Sequence, residues 1–408
     1  MAIELKIPGV VISEDIAAPA DYHTEYTDIL GAKVLMATDV RISRSAGTTV
    51  TSSANPDDLL KLTWQGGIVE IIRVDSLGEH LPETVRSAGE GLVVPTRKTI
   101  HTAWRGSRSV TLETVKHIRL DKAIEKAKDT IIEGIADAAA SWIVPPIMTQ
   151  IETRRIPNPG LYHLTETGQV DLTRPAENLT STVETPYLVL IHGTFSDTQG
   201  SFSELFASTD EWARLSRAYA PDRIVALEHH TVTENPASNA LQIAMAFQGG
   251  AHIHILSHSR GGLVGDLICR HPFENRALEQ FFSNPQYKYQ KTAEVENGAA
   301  TKSVLEALVA LNERLTDQPL QVDRFVRVAA PVAGTLLASD RLNSYLNVIL
   351  SVLGHVPLPG ANLLGYVEAI ASAIISTGLD AKQLPGLEAM RPQAQQGFVP
   401  FLNCAEPR

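Results

Sequence analysis

The residues of this sequence that are best suited to chemistry lie in one short stretch, Ser257-His258-Ser259-Arg260-Gly261. The strand-like run before the stretch and the helical pattern after it place Ser259 in a sharp turn. Such a turn strains the backbone of the central serine and requires small residues on both sides. Gly261 meets that requirement, while Ser257 stands where glycine is usual. The pattern therefore predicts that Ser259 is a nucleophile.

A second short motif, His192-Gly193-Thr194, follows an apolar run that reads as a strand. Gly193 allows a sharp turn, so that the backbone N–H of Thr194 would point at a developing alkoxide. The N–H of Arg260, directly after the serine, would be the second donor. Each donor of this kind contributes roughly 3 kcal/mol of transition-state stabilisation. We therefore predict an oxyanion hole formed by Thr194 and Arg260, with His192, Gly193 and Gly261 shaping the supporting turns.

These two motifs require a sheet whose strands end at the same edge. From Pro186 onward the pattern alternates between strand and helix, which predicts a parallel sheet with helices on both faces. The predicted strands are residues 187–191, 223–227, 252–256 and 324–329. The predicted helices are residues 202–219, 235–247 and 262–270, and a hairpin of residues 160–164 and 168–172 precedes them.

The first 144 residues have a different pattern, which contains no visible catalytic constellation. We predict a strand at residues 3–7, a loop at 43–56, a hairpin at 59–64 and 68–74, a strand at 110–120 and a helix at 121–142. The helix would end at Pro145-Pro146. The expected domains are a β-rich accessory domain over residues 1–144 and a second domain over 145–408. Segments at about 272–320 and 336–380 are expected to be cap insertions in the second domain.

From about residue 160 to 403 the chain resembles lipase- and esterase-type α/β-hydrolases with lid helices. The resemblance rests on YLVLIHGTFSDTQGSF, RIVALEHHT, HIHILSHSRGGLVGDL and RFVRVAAPVAGT, in that order. It implies an α/β-hydrolase fold, in which helices flank a mainly parallel sheet. It also implies that Ser259 cleaves a small-molecule or lipid carboxylic ester, with a histidine base and an orienting carboxylate. Amide hydrolysis and acyl transfer to an alcohol would use the same serine.

The histidine and the acid implied by the resemblance stay unassigned. They should follow the nucleophile in the order acid, then histidine. Beyond Ser259 the only histidines are His271, which ends a predicted helix, and His355, which lies in the second cap-like segment. Asp340 and Asp380 are candidates for the orienting carboxylate. The other histidines near the predicted strands are His229, His230, His252, His254 and His258.

Two explanations of the unassigned histidine and acid stay open. In the first, which we favour, these residues are part of a longer hydrolase, since a sheet that stops here would leave an apolar parallel edge uncovered. In the second, Ser259 has an unusual base or no catalytic role. The second explanation allows an alternative function, in which a catalytically incomplete hydrolase-fold module binds a protein partner through its N-terminal domain.

Composition narrows the classes of partner. A content of 44% hydrophobic and 20% charged residues is typical of a globular protein, and a net charge of −11 disfavours nucleic acid as a partner. Two cysteines, Cys269 and Cys404, and the lack of a visible signal peptide predict a reducing, cytoplasmic location. No apolar run predicts an integral membrane segment. His252 and His254 alternate without a supporting carboxylate or cysteine, so we predict no metal and no other cofactor.

Overall fold

The computed structural model describes residues 2–15, 34–42, 48–65, 68–81, 85–86, 91–102, 106–120, 142–144, 146–219, 221–283, 290–292, 303–335, 338, 342, 346–347, 350, 363–377, 381, 384–392 and 396–404. The chain divides into two compact units. The first, which we call the β unit, comprises Met1–Asp129, Asn343–Pro357 and Leu364–Leu379. The second, the α/β unit, comprises Thr130–Leu342, Leu358–Leu363 and Asp380–Arg408. The units therefore part at Asp129, whereas the sequence places the domain boundary at residue 144.

The β unit consists mainly of strands. In its described part these are Ile3–Pro8 (β1), Val10–Asp15 (β2), Val34–Arg41 (β3), Thr49–Ala54 (β4), Leu59–Trp64 (β5), Ile68–Arg73 (β6), Val85–Arg86 (β7), Leu92–Val93 (β8), Arg97–Thr102 (β9) and Gly106–Leu120 (β10), with a short helix at Leu77–His80 (α1). One sheet has the order β4-β1-β8-β7, and a second has the order β2-β3-β10-β5-β6 with β9 paired to β10. Residues of both sheets, including the fully buried Trp64, share one core.

Three strand predictions in the β unit are confirmed and one loop prediction is wrong. The strand at the N-terminus, the hairpin β5–β6 and the strand β10 lie where the alternating residues place them. The segment 43–56 contains strand β4, which pairs with β1 along its whole length. Residues 49–51 are β-branched, and exposed positions alternate with more buried ones along β4, which suits a strand despite its polarity. The predicted helix 121–142 falls mostly outside the described residues, although Trp142 lies in a strand.

The described part of the α/β unit alternates between strands and helices. Its strands are Trp142–Val144 (β11), Gly160–Leu164 (β12), Val170–Pro175 (β13), Tyr187–Ile191 (β14), Ile224–Glu228 (β15), Ala251–His258 (β16), Gln290–Thr292 (β17) and Leu320–Val328 (β18). Its helices are Pro146–Arg155 (α2), Thr198–Ala207 (α3), Thr209–Tyr219 (α4), Pro236–Ala246 (α5), Gly261–Arg270 (α6), Asn275–Phe282 (α7), Val304–Asp317 (α8), Pro385–Glu388 (α10) and Phe398–Asn403 (α11). Helix Leu363–Thr377 (α9) comes between α8 and α10 in the chain, and all but its first residue belong to the β unit.

A mixed sheet of six strands is the centre of the α/β unit, with the order β13-β12-β15-β14-β16-β18. Strands β14, β15, β16 and β18 are parallel, and the hairpin β12–β13 joins β15 in the antiparallel sense. Every residue of β14 and β15 is buried, whereas every residue of β18 is at least partly exposed. The carboxyl ends of the parallel strands meet at one edge, where the segments after β14, β15 and β16 come together.

Two helix predictions in the α/β unit have different outcomes. Helix α5 lies where the sequence predicts a helix, and Asn235 caps it, because its Oδ1 accepts the N–H of Ser238 at 3.0 Å. The single helix predicted at 202–219 is wrong, because Ser208 has extended backbone between α3 and α4. Asp197 starts the first of these helices, since its carboxylate accepts the N–H of Gly200 at 2.7 Å.

Two segments that the sequence assigns to cap insertions have other packing partners. Arg314 of α8 donates to the carbonyl oxygens of Ala244 and Phe247 at the end of α5, at 3.1 and 2.6 Å. Helix α8 is therefore a crossover helix that packs on the unit's own core before β18. Helix α9 is apolar, and its Glu368 forms an ion pair with Lys61 of β5. This part of segment 336–380 therefore packs in the β unit. Within the described residues, no helix is both long and apolar enough to cross a membrane.

Candidate active site

Ser259 has a strained backbone. It follows the last residue of β16 and precedes α6, and its φ is +50°, a left-handed value that costs a residue with a side chain on the order of 1–3 kcal/mol. The conformation is held by a hydrogen bond from the N–H of Ser259 to the carbonyl oxygen of Val328, at 2.8 Å. A Cβ on Gly261 would lie only 2.5 Å from the carbonyl oxygen of Ile191. The turn therefore tolerates only glycine at that position.

Ser257 takes the other small position of the turn without crowding. Its side chain is fully buried, and its hydroxyl is 3.5 Å from the carbonyl oxygen of Val326. The departure from the usual glycine is therefore accommodated in this sheet.

The His192-Gly193 turn lies directly against Ser259. A Cβ on Gly193 would approach the Cβ of Ser259 to 2.8 Å, so only glycine allows these two segments to come so close. His192 Nδ1 is 3.1 Å from the carbonyl oxygen of Gly193, and its Nε2 accepts the N–H of His229 at 3.2 Å. Burial lowers the pKa of His192 to about 4, so the ring is neutral and donates through Nδ1.

The hydrogen bond from His192 Nδ1 to the carbonyl oxygen of Gly193 sets the direction of the Thr194 amide. In a trans peptide the carbonyl of Gly193 and the N–H of Thr194 point in opposite directions, so fixing one fixes the other. The neighbouring amides are both used: Gly193 N–H donates to Ser201 Oγ at 3.2 Å, and Phe195 N–H donates to Thr231 Oγ1 at 3.1 Å. The N–H of Thr194 has no acceptor among the described residues.

The second predicted donor, the N–H of Arg260, likewise has no acceptor in the described part of the chain. Its side chain is fully buried and donates to Gly386 O, Asn239 Oδ1 and Glu234 O at 3.2, 2.9 and 2.6 Å. Burial lowers the pKa of the guanidinium to about 10, which leaves it charged at neutral pH. Arg260 therefore anchors the start of α6 while its backbone amide stays available.

Two buried carboxylates that the sequence did not identify hold the loops around these donors. Glu228 accepts the N–H of Thr198 at 3.1 Å, and burial, assisted by the charge of Asp197, raises its pKa to about 7. Glu152 of α2 accepts hydrogen bonds from residues 231–233. Neither residue lies in a recognisable motif, because each acts through backbone amides that are far away in the sequence.

No imidazole is hydrogen-bonded to Ser259 Oγ within the described residues. His258 Nδ1 lies 3.3 Å from Ser201 Oγ, and burial lowers its pKa. His229 Nε2 is buried without a described partner. His355, Asp340 and Asp380 fall outside the described residues. The other candidate histidines have hydrogen-bond partners other than Ser259: His230 with Ile156 O at 3.0 Å, His252 with Asp323 at 2.8 Å, His254 with Tyr219 at 2.5 Å and His271 with Thr316 at 3.1 Å.

The β unit contains a line of side chains that sequence reasoning missed. Ser52 Oγ is 3.0 Å from His117 Nδ1, and His117 Nε2 is 2.8 Å from Asp58 Oδ2. The carboxylate of Asp58 also accepts from Arg119 at 2.9 Å. Burial raises the pKa of Asp58, but hydrogen bonds from His117, Arg119 and Asn55 bring it below its ordinary value. Ser52 lies on β4, His117 and Arg119 lie on β10, and Asp58 directly precedes β5, so no local spacing in the sequence reveals the cluster.

The described residues contain no group of three or more His, Cys, Asp or Glu that is placed to hold a metal ion. Residues 155–282 and 298–408, more than half of the chain, match a family described as a domain of unknown function, DUF7379. The chain belongs to that family. No curated protein and no solved structure matches the chain.

Proposed function

We propose that this member of the DUF7379 family is a serine hydrolase that cleaves carboxylic esters, with Ser259 as the nucleophile. The observation that carries the proposal is the left-handed backbone of Ser259, with φ +50°, beside two backbone amides that have no acceptor among the described residues. Left-handed backbone in residues with a side chain is concentrated at active sites. The sheet, the close approach of Gly193 and the order of the motifs also support an α/β-hydrolase fold for this unit.

In the proposed reaction Ser259 Oγ attacks the carbonyl carbon of the ester and loses its proton to a base. The π electrons of the carbonyl move to its oxygen, which the amides of Thr194 and Arg260 would stabilise. Collapse of this intermediate expels the alcohol and leaves an acyl group on Ser259. Water then releases the acid and restores the hydroxyl. No described histidine is hydrogen-bonded to Ser259 Oγ, so the geometry does not identify the proton acceptor.

A fluorophosphonate probe tests this proposal, because it reacts with serines that are activated in this way. We expect labelling of the wild-type chain at Ser259, loss of labelling in Ser259→Ala, and hydrolysis of a short-chain aryl ester with the same dependence. Ser52→Ala is the matched control, since Ser52 is hydrogen-bonded to an imidazole yet lies in a regular strand. Equal labelling of wild type and Ser259→Ala would contradict the proposal.

A second candidate is a hydrolase-fold module without catalysis that binds a protein partner, with the β unit as the binding part. It is favoured by the lack of an imidazole partner for Ser259 Oγ among the described residues. This candidate predicts that wild type is neither labelled nor active on esters. For either function we propose a reducing, cytoplasmic location, because the chain has only two cysteines.

A further inference from the structure

Glu152 binds a single backbone segment through both of its oxygens. Its Oε1 accepts the N–H groups of Thr231 and Val232 at 2.6 and 2.9 Å, and its Oε2 accepts the N–H and the hydroxyl of Thr233 at 2.7 and 2.6 Å. The carboxylate is almost wholly buried. A buried carboxylate with this many donors is well compensated, and its removal would leave several backbone amides without acceptors.

Thr231 connects Glu152 to the loop that contains Thr194 through two hydrogen bonds of its hydroxyl. Its hydroxyl donates to Glu152 Oε1 at 3.2 Å, and its oxygen accepts the N–H of Phe195 at 3.1 Å. The N–H of Phe195 can only donate, so a lone pair of Thr231 Oγ1 faces Phe195 and the hydroxyl proton is directed at Glu152. Phe195 has a left-handed backbone, with φ +57°, directly after Thr194.

Residues 231–234 also contact Arg260, the second predicted oxyanion donor. The guanidinium of Arg260 donates to the carbonyl oxygen of Glu234 at 2.6 Å, directly after the residues that Glu152 binds. The N–H of Gly386 donates to the carbonyl oxygen of Val232 at 3.0 Å. Both predicted oxyanion donors are therefore fixed relative to the chain at residues 231–234.

We infer that Glu152 and Thr231 are positioning residues for the oxyanion hole, through the relay Phe195 N–H to Thr231 to Glu152. This inference rests on the proposed function of Ser259. Neither residue touches the reacting atoms; they would hold the Thr194 amide in the direction required by the transition state. Small displacements of such donors reduce rates strongly, so loss of the relay should lower kcat while KM stays nearly constant.

Thr231→Val and Thr233→Val form a matched pair. Each removes one hydroxyl that donates to Glu152, but only Thr231 also accepts from Phe195. We expect Thr231→Val to lower kcat about 10- to 100-fold with little change in KM, and Thr231→Ser to restore it. Thr233→Val should change kcat less than about threefold, although it also removes a hydrogen bond to Glu152 and so lowers thermal stability. Amide hydrogen exchange of a peptide that contains Phe195 should speed up in Thr231→Val alone.

Equal losses of kcat in the two valine variants, or unchanged exchange at Phe195 in Thr231→Val, would overturn the inference. An inactive and unlabelled wild type would instead refute the proposed hydrolase. The exchange measurement then still decides whether Thr231 holds the loop, so the two failures are distinguishable.

Discussion

Ser259 of the α/β unit and Ser52 of the β unit each have half of what a serine nucleophile requires. Ser259 has a strained backbone and two amide donors without acceptors among the described residues, but no imidazole is bonded to its hydroxyl there. Ser52 is aligned with His117 and Asp58, yet its strand pairs with β1 in regular register. A line of Ser, His and Asp is therefore not sufficient, because the backbone decides whether an oxyanion can be stabilised.

The buried acids of the two regions, Asp58 and Glu228, have pKa values shifted in opposite directions. Asp58 faces the cation of Arg119 and has a lowered pKa, as expected for a stabilising ion cluster. Glu228 is buried without a described ion pair to Lys or Arg, and its pKa is raised to about 7. Raised pKa values of this kind are concentrated at functional sites, whereas satisfied ion clusters are usually structural. The electrostatics therefore favour a structural role for Ser52, His117 and Asp58.

The largest expected effect tests that structural role. Asp58→Ala leaves the buried His117 without its carboxylate and removes a partner of Arg119, so the free energy of unfolding should fall by about 3–5 kcal/mol. Asp75→Ala is the control, because it removes only the exposed pair with Arg73 and should cost less than about 1 kcal/mol. Urea denaturation measures both. Similar small losses in the two variants would show that the cluster contributes little to the fold.

The raised pKa of Glu228 predicts a pH-dependent stability difference. Its folded pKa of about 7 exceeds the ordinary value of 4.5, so folding favours the protonated acid. The resulting stabilisation is complete below pH 4.5 and is lost as the pH rises through about 7, by roughly 3 kcal/mol. His192, whose pKa is lowered to about 4, has the opposite dependence between pH 4 and 6.5 and masks part of this change.

Glu228→Gln isolates the effect, because the amide still accepts from Thr198 but does not titrate. The wild-type chain should lose stability relative to Glu228→Gln as the pH rises from 4.5 to 7.5, as measured by urea unfolding at several pH values. A difference that does not change with pH would mean that Glu228 is ionised throughout.

The smallest expected effect is that of replacing each serine by glycine, which should change the free energy of unfolding with opposite signs in the two units. Glycine adopts the left-handed backbone of residue 259 without strain, so Ser259→Gly should raise the free energy of unfolding by about 0.5–1 kcal/mol. Ser52→Gly should lower it by at least about 0.5–1 kcal/mol, since glycine weakens a regular strand and the bond to His117 is lost. Thermal unfolding of both variants is the measurement. Destabilisation by Ser259→Gly would show that the turn is not strained.

The sequence predicts the strand ends around Ser259 well, because apolar runs followed by turn residues are local signals. It also places Thr194 and Arg260 at the ends of these elements, although only the structure shows that their amides have no acceptor among the described residues. Glu152 and Thr231 cannot be predicted in this way, since their hydrogen bonds join segments 79 residues apart. The same holds for Ser52 and His117, which are 65 residues apart on different strands.

Packing overrides the sequence signal in two further places. The apolar stretch of α9 is read as a cap, yet Glu368 pairs with Lys61 in the β unit, because an apolar helix does not specify which sheet it covers. The polar stretch of β4 is read as a loop, but its pairing with β1 supplies partners for its backbone.

Strand β18 has a consequence for the behaviour of the protein at high concentration. The described residues pair it only with β16, and Val326 and Val328 are about half exposed on it. An open apolar edge can nucleate association between molecules. Charges of both signs at Asp323, Arg324 and Arg327 accompany these valines and oppose such contacts. These charged side chains protect the edge because pairing with another molecule would remove them from water, so resistance to association at high protein concentration depends on them.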